Sequence, residues 1–203
     1  MSARDDVLAR VRAALRDVPA DEAPAVRQAY EPPPPPAGDP VVRFAERVAD
    51  YQATVRDADE LAATIARVCA EHDARRLGVP TGLLEGWRPE SLELVEDDGL
   101  SARELDALDG ALTGCALAIA ETGTIVLDGG ERSGRRALTL VPDLHVCIVR
   151  RDQVVATVPE AIRALEGGRG PFTFVSGPSA TSDIELDRVE GVHGPRRLEV
   201  LLV

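Results

Sequence analysis

The sequence contains no lysine and no asparagine, and all 23 of its basic residues are arginines. Without lysine, the chain cannot form a Schiff base with a carbonyl substrate or build the phosphate-binding loop that depends on a lysine. Aromatic residues make up only 3% of the chain, so its core must be aliphatic. No apolar run is long enough to span a membrane, and the first residues, MSARDDVLAR, lack the apolar segment of a secretory signal. We therefore expect a cytoplasmic protein with no membrane partner.

Cysteine and histidine are also scarce and scattered. The chain has three of each, with no CxxC, HxH or HExxH motif among Cys69, Cys115, Cys147, His72, His145 and His193. The cysteines lie among apolar neighbours, which favours reduced, buried thiols. We expect no metal site and no cofactor bound by this chain alone, iron–sulfur clusters and structural zinc included.

The formal charge of −12 opposes a general affinity for nucleic acid, since phosphate binding needs a basic face. The charge is distributed unevenly. Residues 41–110 hold eight arginines against sixteen acids, whereas residues 111–203 hold ten against twelve. A site for a small anion, such as a carboxylate or a phosphate, is therefore expected in the C-terminal half.

The sequence divides into a short N-terminal segment, residues 1–40, and an α/β domain, residues 41–203. Ser2 can cap an amphipathic helix that ends at Pro19, and the five prolines 32–36 favour an extended spacer. The helix must bury its apolar stripe on the domain or on a partner. A ligand for a proline-binding module is the alternative interpretation of the prolines.

The domain alternates helical and strand patterns. The spacing of Phe44, Val48, Tyr51 and Val55 predicts a helix, as does the spacing of Leu61, Ile65 and Val68. Further helices are predicted from a capping box at Ser101 and around residues 160–165. Strands are predicted at residues 75–79, 92–95, 115–120, 124–127, 144–149, 172–175 and 198–203. This order indicates a Rossmann-like three-layer α/β sandwich.

Three polar segments that follow predicted strands are candidates for a site, because ligands collect where strands end in open α/β sheets. The first is Glu121-Thr122-Gly123-Thr124, between two apolar strands. Here Glu121 can act as a nucleophile or general base while Thr122, Gly123 and Thr124 position a ligand. The alternative is an ordinary turn in which Gly123 has a positive φ and Glu121 reaches water.

The second candidate is the glycine- and arginine-rich loop at residues 128–136. Glycines let backbone amides approach a ligand, and arginines supply forked donors for carboxylate or phosphate. The predicted ligand-binding residues here are Gly129, Gly130, Arg132, Arg135 and Arg136. The spacing does not match the dinucleotide fingerprint GxGxxG, and a mobile surface loop is the alternative.

The third candidate begins directly after the predicted strand 172–175. Its predicted ligand-binding residues are Ser176, Gly177, Pro178, Ser179, Thr181 and Asp183. His193, further along between glycines, can serve as a catalytic acid or base near neutral pH, although a histidine in a glycine turn is often structural. We expect the three segments to line one cavity, with Glu121 and His193 as its catalytic residues.

Two stretches of the sequence resemble a known family. AETGTIVLDGGERSGRRALTLVPDLHVCIVR and FVSGPSATSDIELDRVEGVHGPRRLEVLLV are similar to the lactate-utilisation protein C (LutC/YkgG) family, or LUD domain. The resemblance covers about residues 41–203. It implies the fold of the NagB/RpiA/CoA-transferase superfamily, and a role in oxidising L-lactate to pyruvate together with an iron–sulfur subunit and a second cysteine-rich subunit.

Two other functions compete with this one. CoA transferases of the related fold place a nucleophilic glutamate in a Glu-Asn-Gly turn, which Glu121-Thr-Gly resembles with Thr in place of Asn. A stand-alone transferase or sugar-phosphate isomerase that binds a CoA-like ligand or a sugar phosphate is therefore one alternative. The other is a non-catalytic binding or regulatory module that docks through its N-terminal helix.

Overall fold

The computed structural model describes residues 2–18, 34, 36–168, 170–178, 180–181, 189–190 and 194–203, with backbone alone at 180–181 and 189–190. The chain divides into two compact units, Met1–Pro34 and Pro35–Val203. The predicted boundary between residues 40 and 41 stays a prediction. None of the described helices is both long and apolar enough to cross a bilayer.

The N-terminal unit contains helix α1, Ala3–Ala14. The predicted Ser2 cap is present and takes the form of a capping box, since the Ser2 hydroxyl accepts from the Asp5 backbone N–H and the Asp5 carboxylate accepts from the Ser2 backbone N–H. The apolar side chains of helix α1 and of the turn after it, up to Val18, are exposed, including Val7, Val11 and Leu15. Most of the predicted proline spacer lies outside the described residues.

A six-stranded, fully parallel sheet forms the centre of the second unit. Its strands, in spatial order, are β1 (Thr54–Asp57), β12 (Arg197–Leu202), β7 (Leu144–Val149), β4 (Gly110–Gly114), β2 (Arg76–Val79) and β3 (Glu93–Glu96). The inner strands are buried along almost their whole length because both faces of the sheet are covered. The α/β class and the mostly parallel sheet are therefore confirmed.

A second, smaller sheet lies beside the first. It contains β8 (Val154–Val155), β5 (Leu117–Ile119), β6 (Thr124–Leu127) and β9 (Thr173–Val175), in that order. The β5–β6 and β6–β9 pairs are antiparallel, and β5–β8 is parallel. The strands β10 (Ala180–Thr181) and β11 (Val189–Glu190) pair with each other as a short antiparallel ribbon.

The remaining helices cover the sheets. They are α2 (Pro40–Asp50), α3 (Leu61–Glu71), α4 (Ala102–Asp106) and α5 (Val158–Ala164), with short 3₁₀ turns at Glu85–Trp87 and Arg151–Gln153. Helix α3 packs on one face of the main sheet, through Ile65 and Val68. Helix α2 and the small sheet pack on the other face, and α5 packs on the outer side of the small sheet. The small sheet thus adds a layer that the three-layer prediction did not contain.

Several strands differ from the prediction. Val55, which was predicted to continue a helix, lies in β1 because α2 ends at Asp50. The predicted strand 115–120 is shorter, and the strand β4 precedes it at residues that were not predicted as strand. The GALTG sequence of β4 has no large apolar residue except Leu112, so its strand signal is weak.

A buried ionic cluster fixes one end of α3 against the sheet. The Glu199 carboxylate, on a residue only 3% exposed, accepts from Arg56 Nε at 3.1 Å and lies 2.8 Å from His72 Nε2. Arg56 also pairs with Glu71 at 2.6 Å. The cluster therefore joins β1, β12 and the C-terminal end of α3.

Candidate functional site

The Glu121 turn connects β5 to β6 in the small sheet. Glu121 is exposed, and its Oε2 accepts from the backbone N–H of Val158, the first residue of α5, at 3.2 Å. A carboxylate at a helix N-terminus is stabilised by the free N–H groups and the dipole there. This contact gives the acid a structural role. Gly123 has φ +60°, as the turn interpretation predicted.

A chain of hydroxyl groups joins this turn to the third candidate segment. Thr122 Oγ1 lies 2.7 Å from Thr124 Oγ1, which lies 2.7 Å from Ser176 Oγ. Ser176 directly follows β9, which pairs antiparallel with β6. The structure therefore brings two of the three predicted segments together.

The 128–136 loop lies at the other end of β6. The Asp128 carboxylate accepts from the backbone N–H of Gly130 at 2.9 Å and from Ser133 Oγ at 2.8 Å. Arg135 forms a bidentate ion pair with Asp97, whose side chain is 1% exposed. These contacts hold the loop in place. Arg135 is used to attach the loop to Asp97, the residue that follows β3.

The loop also lies over the topological switch point of the main sheet. The chain moves from β2 outward to β3, then returns to β4 and continues through β7 toward β12. At this point the Gly114 N–H, at the end of β4, donates to the Arg132 carbonyl at 2.9 Å. The carboxyl ends of strands at such a point are where open α/β sheets bind ligands.

The expected single cavity is therefore divided. Glu121 precedes β6 and Asp128 follows it, so the turn and the loop are separated by the length of the strand. Glu121 lines none of the three cavities described next. Arg136, at the far end of the loop, lines the same cavity as Ser176, so part of the expected grouping is present.

The first cavity, the carboxyl-edge cavity, has a volume of about 640 Å³ and lies where β4 and β7 end. Its polar side chains include two arginines, Arg132 and Arg150, and four acids. The acids are Asp128, Glu131, Asp152 and Glu166. Asp152 also pairs with Arg150 at 2.9 Å. The excess of carboxylates disfavours a small anion in this cavity.

A second cavity, the Arg136 cavity, has a volume of about 250 Å³ and lies at the amino ends of β7 and β12. Its described lining residues are Arg136, Thr139, Leu140, His145, Thr173, Phe174, Val175, Ser176, Gly177, Pro178, Gly194, Pro195 and Leu198. They include a guanidinium and no carboxylate. In a chain of net charge −12, this is the described cavity whose lining suits an anion.

A third cavity, of about 260 Å³, shares Arg136, Thr139 and Thr173 with the second. Its wall includes Gly129 and the engaged Arg135. Arg136 stands between the two cavities. Arg136 is exposed, and within the described part of the chain its side chain forms no ion pair, so the guanidinium is accessible to a ligand.

The sequence comparisons identify the family. The LUD domain model matches residues 45–203. The chain belongs to the LUD domain family. A lactate utilization protein C of Deinococcus radiodurans is 51% identical over 168 residues, which cover 79% of this chain and 78% of that protein. Another, from Geobacillus kaustophilus, is 31% identical over 62% of this chain and 57% of that protein.

A solved structure supports the same relationship. The crystal structure of a DUF162 family protein from Deinococcus radiodurans is 40% identical and superimposes with a TM-score of 0.71. The match covers 83% of this chain and 99% of that one. The resemblance predicted from the two sequence stretches is thereby confirmed, while the specific likeness to the NagB/RpiA superfamily stays a prediction.

Several predicted site residues of the LUD domain lie outside the described residues. These are Ser179, Asp183 and His193. Thr181 belongs to β10, whose backbone alone is described. The described residues on either side, Pro178 and Gly194, both line the Arg136 cavity.

Sequence reasoning did not select His145, which the structure places in this cavity. His145 is 2% exposed and its Nε2 lies 2.8 Å from Thr113 Oγ1, on the neighbouring strand β4. Burial lowers the pKa of His145 to about 4, so the ring is neutral at pH 7. The sequence feature that could have identified His145 is its polar ring within the otherwise apolar strand LHVCIV.

This histidine should make the LUD domain less stable in mild acid. Its pKa is about 4 when folded against 6.5 when unfolded, so the unfolded chain binds the extra proton between these values. Stability then falls as pH drops below about 6.5, by about 2 kcal/mol at pH 5. Urea unfolding at pH 7 and pH 5 should show this loss in the natural protein and not in His145→Gln. Equal losses in both proteins would contradict the assignment.

Proposed function

We propose that this LUD domain protein is a component of an L-lactate utilisation system and binds a small carboxylate in the Arg136 cavity. The relatives named lactate utilization protein C support the first part. The observation that carries the second is the Arg136 guanidinium, which pairs with no described carboxylate and lines a cavity whose described residues include no acid. Arginine is suited to a carboxylate because its forked donors match the two oxygens.

The surroundings of Arg136 suit a small ligand. Thr139, Thr173 and Ser176 offer hydroxyl groups, and Leu140, Val175 and Leu198 offer an apolar wall. A short carboxylate with an apolar end can place its carboxylate against the guanidinium and the hydroxyl groups, and its apolar end against this wall.

The proposal assigns the redox centres to partner subunits that carry iron–sulfur clusters. Cys69, Cys115 and Cys147 are all buried as free thiols. Burial raises the pKa of Cys69 to about 12, and a hydrogen bond with Cys147 together with burial raises the pKa of Cys115. Protonated, buried thiols are poor cluster ligands.

Anaerobic co-purification should recover cluster-bearing subunits, and their consistent absence would count against this part.

Arg136→Gln should lose most of the affinity for L-lactate and pyruvate. A hydrogen bond to a charged group is worth about 1.5–3 kcal/mol, which corresponds to roughly 10- to 150-fold in Kd. Isothermal titration calorimetry of the full chain with each carboxylate and with inorganic phosphate measures the loss.

Arg132→Gln is the matched control. Arg132 lies in the same loop but lines the carboxyl-edge cavity, so its replacement should leave carboxylate affinity unchanged. Equal affinity in the natural protein and Arg136→Gln, or a loss confined to Arg132→Gln, would contradict the assignment of the site.

A further inference from the structure

The Arg136 cavity contains a second polar group that the carboxylate does not explain. His145 lines the cavity, is almost fully buried, and contacts Thr113 through Nε2. With Nε2 engaged, Nδ1 is the ring nitrogen that remains for a ligand. The nearby walls at Leu140, Val175 and Leu198 are apolar.

The contact with Thr113 fixes which ring nitrogen carries the proton. Thr113 is fully buried, and among the described residues its hydroxyl bonds only to His145. A buried hydroxyl that only accepted would leave its own hydrogen unsatisfied, which costs about 1–3 kcal/mol. The hydroxyl therefore donates to Nε2. Because burial keeps the pKa of the ring near 4, the neutral ring carries its proton on Nδ1.

We propose that His145 selects carboxylates that have an oxygen on C2, with Nδ1–H donating to that oxygen while Arg136 holds the carboxylate. The inference rests on the proposed function, since it takes the Arg136 cavity as the ligand site. It adds the residue that recognises the C2 oxygen of such 2-oxo and 2-hydroxy monocarboxylates, which the proposed function leaves unassigned. Both a carbonyl and a hydroxyl oxygen accept hydrogen bonds, so pyruvate and lactate both satisfy Nδ1–H.

The cavity should discriminate against carboxylates without a C2 oxygen, because they leave the Nδ1–H group of His145 without a hydrogen-bond partner. Propionate has the same carboxylate and carbon chain as lactate but no C2 oxygen, so it would bury Nδ1–H unsatisfied. A site built to bond a ligand oxygen strongly rejects the analogue that lacks it. We expect pyruvate and L-lactate to bind at least about 10-fold more tightly than propionate.

Calorimetric titration of the full chain with pyruvate, L-lactate and propionate tests the inference. His145→Gln and Thr113→Val should both reduce the pyruvate-to-propionate affinity ratio toward one, with the Kd for propionate changed less than about threefold. Thr113→Val keeps the side-chain shape and removes only the hydroxyl that fixes the tautomer. A structural role alone would change both ligands' affinities equally.

A spectroscopic readout is independent of affinity. Long-range ¹H–¹⁵N spectra at pH 7 should show His145 protonated at Nδ1, with its signals identified by their loss in His145→Gln. Equal binding of pyruvate and propionate, or an Nε2-protonated ring, would overturn this inference and leave the Arg136 anion site standing. If none of the three carboxylates binds, both this inference and the proposed anion site are overturned.

Discussion

Glu199→Ala should lower the free energy of unfolding by about 3–5 kcal/mol, the cost of removing one partner from a buried ion pair. The carboxylate accepts from Arg56 and lies against His72, and its side chain is only 4% exposed. Its loss leaves two polar groups under partial burial and breaks the connection between β1, β12 and α3. Urea unfolding followed by circular dichroism at pH 7 measures the change.

A second ion pair provides the control. Glu93 pairs with Arg76 at 3.0 Å, but both side chains are about half exposed. Such pairs contribute about 0–1 kcal/mol, so Glu93→Ala should unfold almost as the natural protein does. If Glu199→Ala fell within 1 kcal/mol of the natural protein, the cluster would not hold these elements together.

Gly123→Ala should destabilise the domain by about 2–5 kcal/mol. Its φ of +60° costs an L-residue about 1–2 kcal/mol, and the added methyl must fit against α2. A Cβ there would lie 2.7 Å from the Arg47 carbonyl carbon and 2.8 Å from the Val48 nitrogen. These are backbone atoms that cannot rotate away, so the overpacking adds about 1–3 kcal/mol. Thermal and urea unfolding report the loss.

Gly129 separates the two contributions to this loss. It has φ +68°, but a Cβ at this position would meet nothing within 4 Å. Gly129→Ala should therefore show only the backbone cost of about 1–2 kcal/mol. Equal losses at the two positions would show that contact with α2 contributes nothing.

Local patterns in the sequence predicted most of the fold. Residues 124–127 and 144–149 are strands with the predicted bounds, because each is a short apolar run between turn residues. The capping box at Ser101 begins α4 as predicted. The strand β4 was not predicted because its small residues have little strand preference, and only its position inside the sheet stabilises it.

The candidate site was predicted only in part. Arg136 and the Ser176 segment line one cavity, but this cavity lies at the amino ends of β7 and β12 and not at the carboxyl ends, where the sequence argument placed the site. Glu121 does not line the Arg136 cavity, because its side chain is directed to the start of α5, where Oε2 accepts from the backbone N–H of Val158. His145 was not selected because partners from another strand, Thr113 above all, determine its role.

The position of β12 between β1 and β7 has a consequence for synthesis. Thr54 in β1 pairs with Glu199 in β12, so β1 has no neighbour in the main sheet until the ribosome has made almost all of the residues between them. Pairings between residues this distant in the chain slow folding. A nascent chain that stalls before β12 leaves two open strand edges, on β1 and β7, at which other chains can add by backbone hydrogen bonding.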